Sequence, residues 1–156
     1  MSNYTIAPIP ELFDQSTSEV AVKVATIASI DEIMSLICRA EGNVLVADYR
    51  YFKYAGSSSS YAAVIAQVVK SIDQILETYP DFVAHMCIKT LTVTDIDKHM
   101  EFIKTFCSTL KMRYQNKMSK CYVYKAPFIF SQIYGIVSCF IDKDTRTKVE
   151  LVTSDR

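Results

Sequence analysis

Apolar positions along this chain switch repeatedly between a two-residue period and a helical one. Residues 1–19 show neither. Their two prolines and several Ser and Thr predict an extended arm. "VAVKVATI" (20–27) alternates and is rich in β-branched residues, which predicts a strand. Ser29-x-x-Glu32 has capping-box spacing, and Ile30, Ile33, Met34, Ile37 and Cys38 then recur at helical spacing up to Gly42. "NVLVADYRYF" (43–52) predicts the next strand, and Gly56 with four following serines a turn. A long helix comes next, with Ile65, Val68, Val69, Ile72, Ile75, Leu76 and Tyr79 on one face, and Pro80 ends it. "FVAHMCIKTLTV" (82–93) opens almost wholly apolar, as a central strand of a parallel sheet does. Thr94 with Asp97 offers a cap to a helix over 95–114 that turns Ile96, Met100, Ile103, Phe106, Cys107 and Leu110 inward. "KCYVYKA" (120–126) is a strand, Pro127 suits the first turn of a helix, 142–147 is a polar turn, and 148–152 is the last strand.

The order is βαβαβαβαβ. It predicts an α/β fold: a mostly parallel, or mixed, five-stranded sheet flanked by helices, forming a single domain over 20–156 behind the arm of 1–19. With 156 residues, half of them apolar, the chain can bury a real core. Lys plus Arg equals Asp plus Glu, 17 each, so no long-range field draws nucleic acid. The cluster "DYRYFKY" mixes Arg50 and Lys53 with tyrosines. Strand alternation sends half of these into the core, which outweighs a base-stacking role. Five scattered cysteines, with no C-x-x-C, read as buried thiols in a reducing compartment. No basic start leads into an apolar stretch, and no apolar run reaches the roughly 20 residues that span a bilayer. These features point to the cytoplasm.

Catalytic signals are missing. Three glycines cannot build a phosphate cradle. His85 and His99 have no Cys or carboxylate at ligand spacing, so no metal is expected. There is no G-x-S-x-G, and nothing places a nucleophile beside a base. The expectation is a non-enzymatic protein without a cofactor.

One segment resists the scheme. Residues 128–141 are apolar on every side, whereas a surface helix keeps one polar face. Four arrangements satisfy such a helix: a central core position, a dimer interface, a membrane surface, or one wall of a cavity holding an apolar ligand.

The spaced set Ala126-Pro127-x-x-Phe130, then Phe140-Ile141-Asp142, Thr145 and Lys148-Val149, resembles the CRAL-TRIO lipid-binding domains, the family of the yeast phosphatidylinositol-transfer protein and the tocopherol- and retinal-binding proteins. The spacing matches without a gap over 121–151, and the strand–helix–strand order over 82–126 also matches. Upstream of residue 80 only the architecture agrees. The resemblance implies a pocket between a sheet floor and a gate helix that opens at a membrane, admits one lipid and closes over its tails. It implies walls of Phe128, Phe130, Ile133, Tyr134, Val137, Phe140 and Ile141 from the gate. Met86, Ile88, Phe102, Phe106 and Tyr122 are the candidates from floor and neighbouring helix. Thr145 and Lys148 map onto the residues that hold a head-group phosphate in the inositol-lipid binders.

The chain departs from that pattern in places. The family's acidic residue falls near Thr105, which carries no charge, and Lys125 replaces the usual Asn. The helical domain that normally precedes and the Gly-Gly segment that normally follows are lacking, so a minimal version of the fold is expected. The implied partners are a lipid or other hydrophobic small molecule and, transiently, a membrane surface, with no nucleic acid. The alternative is a protein–protein interaction or homodimerisation module of CRAL-TRIO- or STAS-like fold, with no lipid pocket.

Overall fold

The computed structural model describes residues 4–152. β1 (Cys38–Glu41) and β2 (Val44–Asp48) form an antiparallel hairpin. β3 (Phe82–Cys87), β4 (Met118–Tyr124) and β5 (Val149–Val152) add to it in sequence order, each parallel to its neighbour. The result is a mixed, mostly parallel five-stranded sheet flanked by helices, the fold class expected from the sequence.

The first third is built differently. Residues 20–27 are not a strand: they fall largely in helix α1 (Thr17–Thr26). Ser16 and Glu19 form a capping box at its start, and Val20 is buried while Val22 is 65% exposed. Val20, Val24 and Ile27 satisfy helical spacing as well as alternation, and the upstream cap decides between them. Helix α2 (Ile30–Ile37) follows on its Ser29 cap. The fifth strand is supplied by Cys38–Glu41, an edge strand with little hydrophobic signal. Gly42 is therefore not a helix stop. It sits at φ +63° in the two-residue turn between the paired residues Glu41 and Val44.

Strand β2 also ends earlier than expected. The Asp48 side chain accepts from Arg50 N and starts helix α3 (Tyr49–Ala55). Helix α4 (Tyr61–Leu76) then leads to β3. Ser60 precedes α4 without a side-chain cap; its hydroxyl serves the preceding turn instead. Strand β3 stops at Cys87. A Thr92–Asp95 capping box, two residues ahead of the expected cap, opens α5 (Val93–Lys98). The chain breaks at His99 before α6 (Met100–Tyr114). Between β4 and β5 lie α7 (Phe130–Val137), a 3-10 turn over Ser138–Phe140, and α8 (Lys143–Arg146).

Successive parallel strands are adjacent, and their crossovers are right-handed by rule, so the connecting helices fall on one face. Alternation sorts the sheet side chains accordingly. Leu45, Ala84, Cys121 and Val123 face the helices. Val44, Val46, Val83, Tyr122 and Tyr124 face the other way, against Tyr4, Ile9, Leu12 and Phe13 of the N-terminal arm. The arm is pinned there: Ile9 N donates to Tyr124 Oη (2.8 Å), Tyr122 Oη to Ile6 O (2.8 Å) and Lys125 Nζ to Phe13 O (2.6 Å). Arg50 is buried with Asp48 (2.8 Å) and donates to Gln15 O. Residues 1–3 of the expected arm and 153–156 of the expected domain lie outside the described residues.

Candidate functional site

On the helical face the core is incomplete. Helix α6 carries Phe102, Ile103, Phe106, Cys107 and Leu110 at helical spacing, yet none of these is fully buried. On α7 only Ile133 is fully buried. These side chains are turned toward a cavity of about 500 Å³. Its floor is sheet, including Leu45, Ala84, Met86 and Val123; its sides are α4 and α6; its roof is the segment 130–141. Apolar pockets that hold small molecules have volumes of about 300–1,000 Å³, and this one falls inside that range.

The roof is short because the expected helix over 128–141 is broken, with α7 giving way to a 3-10 turn. It is tied at few points. Phe130 N donates to Pro127 O (2.9 Å), Arg146 Nη1 donates to Ser138 O (2.9 Å) and Ile141 O (3.2 Å), and Lys104 Nζ sits 5.8 Å from the Phe140 ring centre. Phe130 and Tyr134 stack on one another at 5.7 Å within the roof, and Phe102 and Phe106 do so on the wall.

Of the residues singled out from the sequence, Phe130, Ile133, Tyr134, Val137, Phe140 and Ile141 line the cavity from above, and Met86, Ile88, Phe102 and Phe106 from below and beside. Two do not reach it. Tyr122 belongs to the opposite sheet face, buried beneath the arm, because strand alternation places it out of phase with Cys121 and Val123. Phe128 precedes the helix and is 100% exposed.

The cavity is polar at both ends. Thr145 and Lys148, which precede β5, line one end together with Lys111, Asp142 and Asp144. There Thr145 N donates to Asp142 Oδ1 (2.7 Å), and Lys148 Nζ lies 3.3 Å from Asp144 Oδ2. The backbone N–H of Thr145 holds the Asp142 carboxyl below its usual range. Tyr49, Asp95 and His99 line the other end, where β2 and β3 terminate. His99 Nδ1 and Tyr61 Oη are 2.5 Å apart, and burial keeps His99 below its usual range. Sequence reasoning missed this second end. Tyr49 was hidden in a supposed strand and Asp95 in a misplaced cap.

Cys38, Cys87 and Cys121 are buried, Cys107 is half-buried, and Cys139 is exposed, unlike the buried thiol expected of it. Burial raises the Cys107 thiol to about 11, so it lines the cavity as a neutral group. No group of metal-ligating side chains occurs among the described residues, and none of their helices is long and apolar enough to cross a membrane.

Comparison with known proteins bears on this architecture. No curated protein matches the chain. Among solved structures, the crystal structure of Sfh5 is similar, with a TM-score of 0.66 at 15% identity over 81% of this chain. The match takes in 50% of the Sfh5 chain, so this chain spans about half that length. At such identity the likeness shows the fold. The family model described as the CRAL/TRIO domain matches residues 44–156, which takes in the sheet from β2 onward, most of the cavity lining and its roof. The chain belongs to the CRAL/TRIO domain family, a family of lipid-binding domains.

Proposed function

We propose that this protein is a non-enzymatic carrier that binds a hydrophobic ligand, most simply a phospholipid, in the cavity beneath residues 128–141. The observation that carries the reading is the cavity itself: about 500 Å³ of space lined mainly by apolar side chains, where a folded interior would normally be close-packed. Burying a ligand methylene there contributes about 0.8 kcal/mol, so tails can be held by area alone. Thr145 and Lys148 offer a hydroxyl and an ammonium to a head-group phosphate, once Lys148 exchanges its Asp144 partner for it. The sparse ties of the roof suit a gate, and the exposed Phe128 beside it suits contact with a bilayer during exchange. The protein would then meet the membrane transiently from the cytoplasm.

Two measurements test this together. Lipid extraction and native mass spectrometry of the protein purified from cells should find a bound lipid, and the protein should move labelled phospholipid between vesicles. Val137→Asp, which puts a charge on the cavity wall, should abolish both. Absence of bound and transferred lipid, with a dimer by light scattering that Val137→Asp dissolves, would instead make residues 126–141 an association surface.

A further inference from the structure

We propose that the cavity takes a lipid with one hydrocarbon tail, a lysophospholipid rather than a two-tailed phospholipid. This rests on the hydrophobic-ligand reading above and names the ligand class more closely.

Volume carries the inference. An apolar cavity of about 150 Å³ accepts benzene, which sets roughly 25 Å³ for each carbon enclosed. A cavity of about 500 Å³ therefore encloses about twenty carbons. One sixteen-carbon tail fits, with space left for its ester and part of the glycerol. Two such tails need about 800 Å³.

Shape gives the same answer. Helix α6 runs along the cavity, with His99 lining it at the helix start and Lys111 near the finish. At 1.5 Å per residue these lie about 18 Å apart, so the mean cross-section is about 28 Å². With carbon–carbon bonds of about 1.5 Å, an extended tail rises about 1.3 Å per carbon and has a cross-section of about 20 Å². One tail passes and two side by side do not. Stacked pairs narrow the slot from two directions, Phe102 with Phe106 on the wall and Phe130 with Tyr134 in the roof.

A second tail would have to stay outside. A bilayer shelters such a tail and water does not, so every methylene left uncovered weakens extraction. Four uncovered methylenes cost roughly two-hundredfold in affinity. A lysophospholipid leaves none uncovered, and it presents the same phosphate to Thr145 and Lys148.

The test incubates the wild-type chain with vesicles holding equal amounts of 1-palmitoyl-lysophosphatidylcholine and 1-palmitoyl-2-oleoyl-phosphatidylcholine, and reads the bound species by native mass spectrometry. The lysolipid should be bound in at least about hundredfold excess. A parallel titration with hexadecanoic acid should stop at one molecule per chain. Phe102→Ala combined with Phe106→Ala removes two rings from the wall and adds on the order of 300 Å³, the space a second tail needs. This double variant should gain the two-tailed lipid. Wild-type binding of the two-tailed lipid at a comparable level, or of two fatty acids per chain, would overturn the inference and leave the hydrophobic-ligand reading standing. So would a folded double variant that still excludes the two-tailed lipid. Binding of none of the three lipids would overturn both readings. Should the double variant not fold, the two wild-type measurements decide.

Discussion

Replacing Cys107 by Phe separates a real void from an ordinary interior. Cys107 lies on α6, lines the cavity and is not among the residues packed against the main core cluster. A phenyl ring needs on the order of 150 Å³, the size of a cavity that accepts benzene. That is under a third of the about 500 Å³ present. In a close-packed core the same substitution would overpack and cost about 1–3 kcal/mol. For a chain of this size each kcal/mol moves the melting midpoint by roughly 2–4 °C. The void predicts no loss, or a rise of a few degrees as the ring is covered. A packed core predicts a fall of about 2–12 °C. The ring should also displace ligand. Loss of about three buried methylenes costs roughly 2.4 kcal/mol, some fiftyfold in affinity. The assay is thermal unfolding by circular dichroism beside lipid titration. A midpoint lowered by more than about 6 °C, with lipid binding unchanged, would refute the cavity.

Two further predictions concern the frame around it. Burial lowers His85 from 6.5 to about 4, and its Nε2 has no hydrogen-bond partner among the described residues, so it is held neutral. The unfolded state therefore binds more protons between those values. Stability is fully present above pH 6.5 and is lost as pH falls toward 4, by at most about 3 kcal/mol; chemical denaturation at pH 7 and 4.5 should show this slope, reduced in His85→Phe, and an identical slope in the variant would sink it. Gly42→Ala should destabilise by about 1–2 kcal/mol, because φ is +63° there, and a neutral result in urea melts would mean the turn is not built as described.

What could be read from the sequence depended on how many independent signals agreed. Strand β3 and helix α4 were legible because a run of core residues or a helical stripe is bounded by Pro80 on one side or the other. The roof was legible as an anomaly: too apolar for a surface helix, and spaced like a known family. Residues 20–27 were misread because β-branched composition and alternation compete there with a cap lying four residues upstream. Tyr49 to Tyr54 were misread because a side-chain cap from Asp48, invisible to periodicity, turns the chain into a helix. Tyr122 was assigned to the cavity floor from the family resemblance, when the pleat sends it to the other face. The polar end at Tyr49 and Asp95 could not be seen at all, since it joins residues that only the fold brings together.

The strapping of the sheet's far side has a kinetic corollary. Tyr4, Ile9 and Phe13 clamp the strands from beneath, so the platform does not depend on cargo for its order. Emptying or loading the protein should leave amide exchange slow in β2, β3 and β4, while the backbone of 130–141 flickers open and slows only when cargo is aboard.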